Sequence, residues 1–541
     1  MDWLNEAIFY EIYPQSFCDS NGDGIGDFNG IAGKLDYIKN LGCNAIWMNP
    51  CFDSPFGDAG YDISDYYKAA PRYGTNEDLR RLFELVHSRG MHILLDLVPG
   101  HTSTKHPWFI ESMKAERNEF SDRYIWTSSV WEEPQVYGSG GTALGCLRGI
   151  SDRDGSAIVN FFSHQPALNY GFYKKTRPWQ QLPSDEGPQA TLEEMKNIMR
   201  FWLNMGCDGF RVDMAGSLVK NDVESRGTIE LWQNVRAFLD KEFPEARLIS
   251  EWGEPDKALK AGFHMDFLLH FGPSHYNDLF RCAEPFFSSR GKGDAGLFVK
   301  NYIENYEKTK VSTGARLGSG AGAGAGTRAG SGLICIPSGN HDMERLAKYL
   351  SVDELKIAFA FLLSMPGAPF IYYGDEIGMR YVEGLTSVEG GYGRTGARSP
   401  MQWDSSQNAG FSTAEADKLY IPLDPSEDRP TVEAQMQDAD SLYNEVRKLI
   451  GIRRSTPQLQ NTARIDFVFT GKNKYPLAYL RGNGKDRILV VINPSRETVS
   501  FPTKIKVGEQ IYQIGRGIIQ GGNMITVHGQ TAGFYTVAQR G

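Results

Sequence analysis

The sequence predicts an α/β fold: a closed parallel (β/α)8 barrel with a lobe inserted after its third strand and an antiparallel β-sandwich at its C-terminal end. Three observations carry this. Short apolar runs alternate with amphipathic helical stretches about eight times, the pattern of a TIM-type barrel. One long excursion, 102–188, is rich in aromatics and glycine and lacks helical periodicity. The tail beyond Arg454 breaks into short alternating strands separated by turns. An open doubly wound sheet is the alternative, and the even alternation disfavours it.

The elements follow in order. AIFYEIYP (7–14) reads as the first strand and IAGKLDYIKNLG (31–42) as the helix after it. NAIWMNP (44–50) is the second strand, and NEDLRRLFELVHSRG (76–90) is a helix ending on a glycine stop signal. HILLDLVPG (92–100) is the third strand. Past the excursion, ATLEEMKNIMRFWLNMG (190–206) spaces Leu192, Met195, Ile198, Met199 and Trp202 as one helix face and leads into CDGFRVDMAG. LWQNVRAFLDKEF with ARLISEWG, then MDFLLHF, LICIPSGN, ELKIAFAFLLSM and APFIYYG continue the alternation. The expected organisation is a barrel over 1–101 and 189–453, a lobe over 102–188 and a β-sandwich over 454–541. The Gly/Ala/Ser-rich stretch 314–332 reads as flexible coil, either a flap near the site or a tolerated surface insertion.

Bulk properties narrow the function. At 541 residues and 41% hydrophobic content the chain can bury a large core. A net charge of −9 argues against nucleic acid or an anionic membrane as partner. The seven cysteines are odd in number, scattered and without a CxxC pair, so buried reduced thiols and a cytoplasmic location are expected. The N-terminal stretch has neither a basic n-region nor a long apolar h-region and reads as no signal peptide; no apolar run is long enough to span a membrane.

Four strings place ionisable side chains where apolar runs end: DLVPGH (96–101), GFRVDMAG (209–216), ISEWGEP (249–255) and SGNHD (338–342). Together they offer Asp213, Glu251 and Asp342, with His101, His341 and Arg211, and no nucleophilic Ser or Cys motif beside them. Strand exits at one end of a barrel are where catalytic groups gather, and paired carboxylates suit attack on a glycosidic bond. Arg211, two residues before Asp213, shares its strand face and is expected to hold that carboxylate ionised, as a nucleophile requires. Taken alone, Arg-x-Asp on a strand also describes a structural ion pair. Glu251, in an apolar strand end beside Trp252, suits a general acid; Glu254, before Pro255, reads as a loop carboxylate. Asp342 is placed to bind neighbouring ring hydroxyls. Tyr61 offers a stacking face, and Asp62 and Arg398 are candidates to close the inner end of a sugar pocket, or ordinary surface charges. In DSNGDGIGD, Asp19, Asn21, Asp23 and Asp27 alternate with the Ile25 carbonyl, an oxygen-ligand spacing for one Ca2+. Gly30 stands where an EF-hand needs Glu, so a single-loop site is expected, with a hydrated turn as the alternative.

Taken together the strings resemble glycoside hydrolase family 13, the α-amylase family, and within it the oligosaccharide branch of α-glucosidases, oligo-1,6-glucosidases, sucrose hydrolases and trehalose synthases. The likeness spans nearly the whole chain, from FYEIYPQSF and SNGDGIGDFNGI through the four strings to QPALNYG (165–171), GAPFIYYGDEIGM (367–379), GARSPMQWD and NAGFS. It implies Asp213 as nucleophile, Glu251 as acid/base, and Asp342 on the 2- and 3-hydroxyls of the sugar. It implies His101 and His341 against the same ring, Arg211 orienting Asp213, Asp62 paired with Arg398 to cap the pocket, and the calcium loop at Asp19, Asn21, Asp23 and Asp27. No organic cofactor is implied. The implied reaction is retaining release of α-glucose from the non-reducing end of small α-glucosides; transfer or isomerisation at the same site is the alternative. A non-catalytic binding relative is disfavoured, since all three carboxylates are kept. Three positions depart from the pattern. Gly100 replaces the usual Asn, so no second metal is expected; Ala167 replaces an acid; and Met214 after the nucleophile leaves linkage preference open.

Overall fold

The protein, described by a computed structural model, is seen over residues 2–312, 332–470 and 474–538. Eight parallel strands form the central sheet: β1 (Phe9–Ile12), β2 (Ala45–Met48), β3 (His92–Leu97), β4 (Gly209–Val212), β5 (Arg247–Ser250), β6 (Met265–Phe267), β7 (Leu333–Cys335) and β8 (Phe370–Tyr372). Neighbours run parallel in chain order, β8 pairs back onto β1 at Phe9↔Phe370, and Pro337 just past β7 bridges to Phe370, which closes the barrel. Closure satisfies every strand edge and buries both faces, which explains why these runs are mostly apolar and do not alternate.

The helices between strands are amphipathic and locally specified. Helix α1 (Asn76–Ser88) opens on a capping box between Thr75 and Asp78 and buries Leu79, Leu82, Phe83 and Val86. Helix α2 (Glu186–Met205) starts four residues before the apolar periodicity suggests; Pro188 sits in its first turn, where its missing N–H costs nothing. It ends on Gly206 in the left-handed conformation (φ 118°). The stretch expected as one helix over 31–42 is two short ones, Phe28–Gly33 and Leu35–Leu41, because Lys34 leaves helical geometry (φ −110°, ψ 6°).

Residues 102–188 carry little regular structure, with their own small core of Ile125, Val136, Ile158, Ala167 and Phe172. The tail forms a five-stranded and a three-stranded antiparallel sheet around Ala478, Leu489, Val491, Phe501, Ile525 and Val527. It includes two strands that the alternation does not single out, Ile465–Phe469 and Ile518–Gly521. The 314–332 stretch lies outside the described residues except for Gly332. All seven cysteines are unpaired, with Cys43, Cys51, Cys207 and Cys335 buried. Among the described residues no helix is long and apolar enough to cross a membrane.

Candidate active site

The strand exits of the barrel converge on one cavity of about 680 Å3. Asp213, Glu251, Asp342, Tyr61 and His101 line it, together with Asp58, Met214, Trp252, Phe271 and Arg394. Arg211, His341, Asp62 and Arg398 stand behind that lining, each nearly fully buried.

Arg211 is the hub. From β4 its guanidinium meets three carboxylates: Nη1 lies 2.8 Å from Asp96 and 3.1 Å from Asp213, and Nη2 lies 2.8 Å from Glu251. Three acids around one fully buried cation explain its retention in an apolar barrel, since each satisfies a donor of the fork. Burial and the Glu251 charge push the Asp213 carboxyl well up, with Arg211 pulling the other way. Arg211 does stand beside Asp213 and pulls its carboxyl down, as its place two residues earlier on the strand suggests, and it shares that pull among three carboxylates. Glu251 is fixed further by the Met214 N–H, which donates to its Oε2 at 3.2 Å. Met214 adopts the left-handed conformation (φ 42°) to aim that N–H, a strained geometry for a side chain of its size.

A second layer locks the imidazoles. Asn49 Nδ2 lies 3.1 Å from His341 Nδ1, and His341 Nε2 lies 2.8 Å from the Tyr61 hydroxyl, which donates to Asp96 at 3.0 Å. Glu11 Oε1 also lies 3.1 Å from His341 Nδ1. Burial pushes His341 and His101 down to about 3, so both rings are neutral. The Nε2 of His101 donates to the Tyr61 carbonyl at 3.1 Å, and its Nδ1 accepts from Asn160 at 3.1 Å. Lys220, fully buried, donates to Asn160 at 3.1 Å and to the Ser217 carbonyl at 2.6 Å; burial pushes its ammonium down to about 7. A Cβ at Gly100 would stand 2.8 Å from the Asn160 amide, so the absent side chain at 100 is what admits Asn160 to His101.

Asp342 faces the cavity from beyond β7. Arg394 lies 2.6 Å and Arg398 3.0 Å from its Oδ1. Burial alone would raise this carboxyl, but His341 and the two guanidiniums outweigh it and hold it below the usual range.

The expected Asp62–Arg398 pair is not formed. Asp62 accepts the backbone N–H groups of Gly57 and Asp58 and the Ser54 hydroxyl, so it holds its own turn together. Asp58 instead enters the cavity, 3.8 Å from Arg394, which bridges it to Asp342. Asp58, Arg394, Asp96 and Asn160 are the residues that sequence reasoning passed over. Asp96 opens the string DLVPGH and Arg394 stands just before GARSPMQWD, but nothing local marks a carboxylate within a strand, or one arginine of two, as facing the site.

In the 19–27 loop, Asp19 accepts the N–H groups of Asn21, Gly22 and Gly24, Asn21 that of Asp23, and Asp23 that of Ile25. Asp27 caps the helix Phe28–Gly33 through the Gly30 N–H. Among the described residues no three His, Cys, Asp or Glu side chains converge as a metal-binding group. A cation here would need a mixed set of carboxylate, amide and carbonyl oxygens, and the loop carries all three.

The comparisons fit this geometry. The family profile "Alpha amylase, catalytic domain" matches residues 11–264 and 330–462. A trehalose synthase/amylase, TreS, of Mycobacterium tuberculosis is 33% identical over 94% of this chain and 84% of its own length. An oligo-1,6-glucosidase of Parageobacillus thermoglucosidasius is 31% identical over 92% of each chain. The crystal structure of the trehalulose synthase MutB from Pseudomonas mesoacidophila superposes with a TM-score of 0.78 at 25% identity, covering 99% of this chain and 100% of that one. With its barrel, its cavity and its matched length, the chain belongs to the α-amylase family and is a glycoside hydrolase-type enzyme.

Proposed function

We propose that the enzyme cleaves small α-glucosides at the non-reducing end by a retaining double displacement. One observation supports this above the others: Asp213 and Glu251 meet on a single guanidinium, opposite Asp342 in one cavity. Carboxyls that share one guanidinium suit the short separation of a retaining pair, about 5–5.5 Å. Glu251 protonates the glycosidic oxygen while Asp213 attacks the anomeric carbon, giving a β-glucosyl-enzyme and the freed alcohol. Glu251, now a base, takes a proton from water, which displaces Asp213 and releases α-glucose. Asp342, kept ionised by Arg394 and Arg398, binds ring hydroxyls and offsets the positive charge that develops on the ring. The Asp58–Arg394–Asp342 bridge supplies the closed end that attack at a chain terminus requires.

The test is product analysis with maltose, isomaltose, sucrose and trehalose supplied separately. Free α-glucose as the first product, abolished by Asp213→Ala, is expected; wild-type turnover in that variant would defeat the assignment. A second reading, transfer to a sugar acceptor, is favoured by the apolar mouth of Phe161, Trp252, Phe271 and Pro273, which suits a second sugar. New disaccharides without net glucose would select it. We also propose that the 19–27 loop takes one Ca2+ through Asp19, Asn21, Asp23, the Ile25 carbonyl and Asp27, as a structural ion. The unpaired, buried thiols support a reducing, cytoplasmic setting.

A further inference from the structure

Glu251 is held at its side chain by Arg211 and Met214, and its peptide is held within the barrel: its N–H donates to the Val212 carbonyl at 2.9 Å and its carbonyl accepts from Ala215 at 3.2 Å. The residues on either side are held by something else. Asp266, on β6, pairs in register with Ser250 on β5. Its Oδ1 accepts the Ser250 hydroxyl at 2.7 Å and the Trp252 N–H at 3.1 Å. One oxygen thus bridges the donors that flank Glu251.

Asp266 is fully buried and does not line the cavity, so it does not touch substrate. Its second oxygen, Oδ2, is buried without a hydrogen-bond partner. Burial pushes the carboxyl up to about 7, with Ser250 and the peptides of Trp252, Gly253 and Phe267 pulling it back. A carboxyl in a barrel interior is an expensive way to fill a volume that an apolar side chain would fill better. The Ser250 hydroxyl has an alternative acceptor in the Met265 carbonyl, at 3.2 Å, but the Trp252 N–H has none.

We infer that Asp266 is a positioning residue for Glu251: it clamps Ser250 and Trp252 so that the strand exit presents the acid at a fixed angle to the leaving-group oxygen. This rests on the reading of Glu251 as acid/base. A misaligned acid damages only reactions whose leaving group needs a proton, whereas a loosened fold damages all of them.

The experiment compares kcat/KM for α-glucosyl fluoride, whose fluoride departs without protonation, with kcat/KM for the best-cleaved disaccharide, in the full-length protein. Glu251→Gln is the reference, expected to raise the fluoride-to-disaccharide ratio at least about 100-fold, within the range of general acid catalysis. Asp266→Ala is expected to lose about 30–100-fold on the disaccharide and no more than about 3-fold on the fluoride. Asp266→Asn, which keeps an acceptor for both donors, is expected to stay within about 5-fold of wild type on both substrates. Equal losses on the two substrates in Asp266→Ala, or an Asp266→Asn ratio like that of Ala, would overturn the inference. If Asp266→Ala does not fold, Ser250→Ala carries the test: a ratio rise of about 3–10-fold supports the clamp, and an unchanged ratio overturns it. A flat ratio in Glu251→Gln would instead overturn the acid/base reading itself.

Discussion

Replacing Arg211 by Gln isolates what the central guanidinium does. Its nitrogens lie 2.8 Å from Asp96, 3.1 Å from Asp213 and 2.8 Å from Glu251, all buried. At an effective dielectric of about 20, unit charges about 4 Å apart interact by about 4 kcal/mol. Removing the cation therefore pushes the Asp213 carboxyl further up, adding to what burial and Glu251 already do. If Asp213 is the nucleophile, its ionised fraction near neutral pH falls, and the lost attraction bounds the loss of kcat/KM at about 10²–10³. The acid limb of the kcat/KM profile should move to higher pH. Stability should fall by about 3–5 kcal/mol, the usual penalty for stripping one partner from a buried ion pair. The sign of its pH dependence is fixed: carboxyls raised in the folded state bind protons that the unfolded chain releases, so the deficit is smallest near the unfolded carboxylate range and grows as pH rises. Rate profiles across pH 4–9 and urea melts at each end measure both effects. A variant within about 10-fold of wild type whose acid limb does not move would refute the electrostatic argument.

Four further outcomes are expected. Lys220, pushed down to about 7 by burial, is neutral in the folded chain where the unfolded chain is still protonated, so stability should rise with pH between about 7 and 10.5; in Lys220→Met, urea melts should show that slope reduced. Gly100→Asn should displace Asn160 from His101 at a cost of about 1–3 kcal/mol, and adding Asn160→Gly should recover most of the loss in thermal melts. Gly209→Ala should cost about 3–5 kcal/mol or prevent folding, because φ is +143° and the new Cβ would lie 1.9 Å from the Arg247 carbonyl oxygen, prying β4 from β5. EDTA should lower the melting temperature and Ca2+ restore it, with Asp23→Ala abolishing the difference; identical melts would remove the calcium proposal.

Period and punctuation made the barrel readable. Each strand is short and mostly apolar, several helices carry a side-chain cap or a glycine stop, and these signals are local. The proposed catalytic carboxylates were readable for a related reason, since Asp213 and Glu251 each follow a strand directly and Asp342 lies in the loop that leaves β7. What the sequence concealed depends on distance in space. Asp96 sits inside HILLDL like a core residue, and only Arg211, 115 positions along the chain, gives it meaning. Asp58 and Asp62 lie four residues apart in one loop; which of them enters the cavity is decided by the N–H groups of Gly57 and Asp58, which claim Asp62. Arg394 and Arg398 both reach Asp342, a sharing that no spacing rule predicts.

Gly100 and Ala167 illustrate the same point. Read singly, each is a missing polar group. In the fold, Ala167 bridges to His101 as plain strand backbone, and the space above Gly100 is filled by an amide from the inserted lobe. A buried Lys220 then holds that amide, its ammonium pushed down by burial. The lobe thus supplies to the barrel a contact that the barrel strand does not make for itself. That ties the lobe to His101 and, through the Tyr61 carbonyl, to the loop that carries Asp58. A relative named a glucosidase and one named a trehalose synthase/amylase both match along nearly this whole length. If the proposed carboxylate floor serves either outcome, the choice between water and a sugar acceptor falls to the mouth, where Phe161 of the lobe faces Trp252 and Phe271 from the exits of β5 and β6. An acceptor sugar held there delays the entry of water, so the seating of the lobe on His101 and the partition between the two products should be linked.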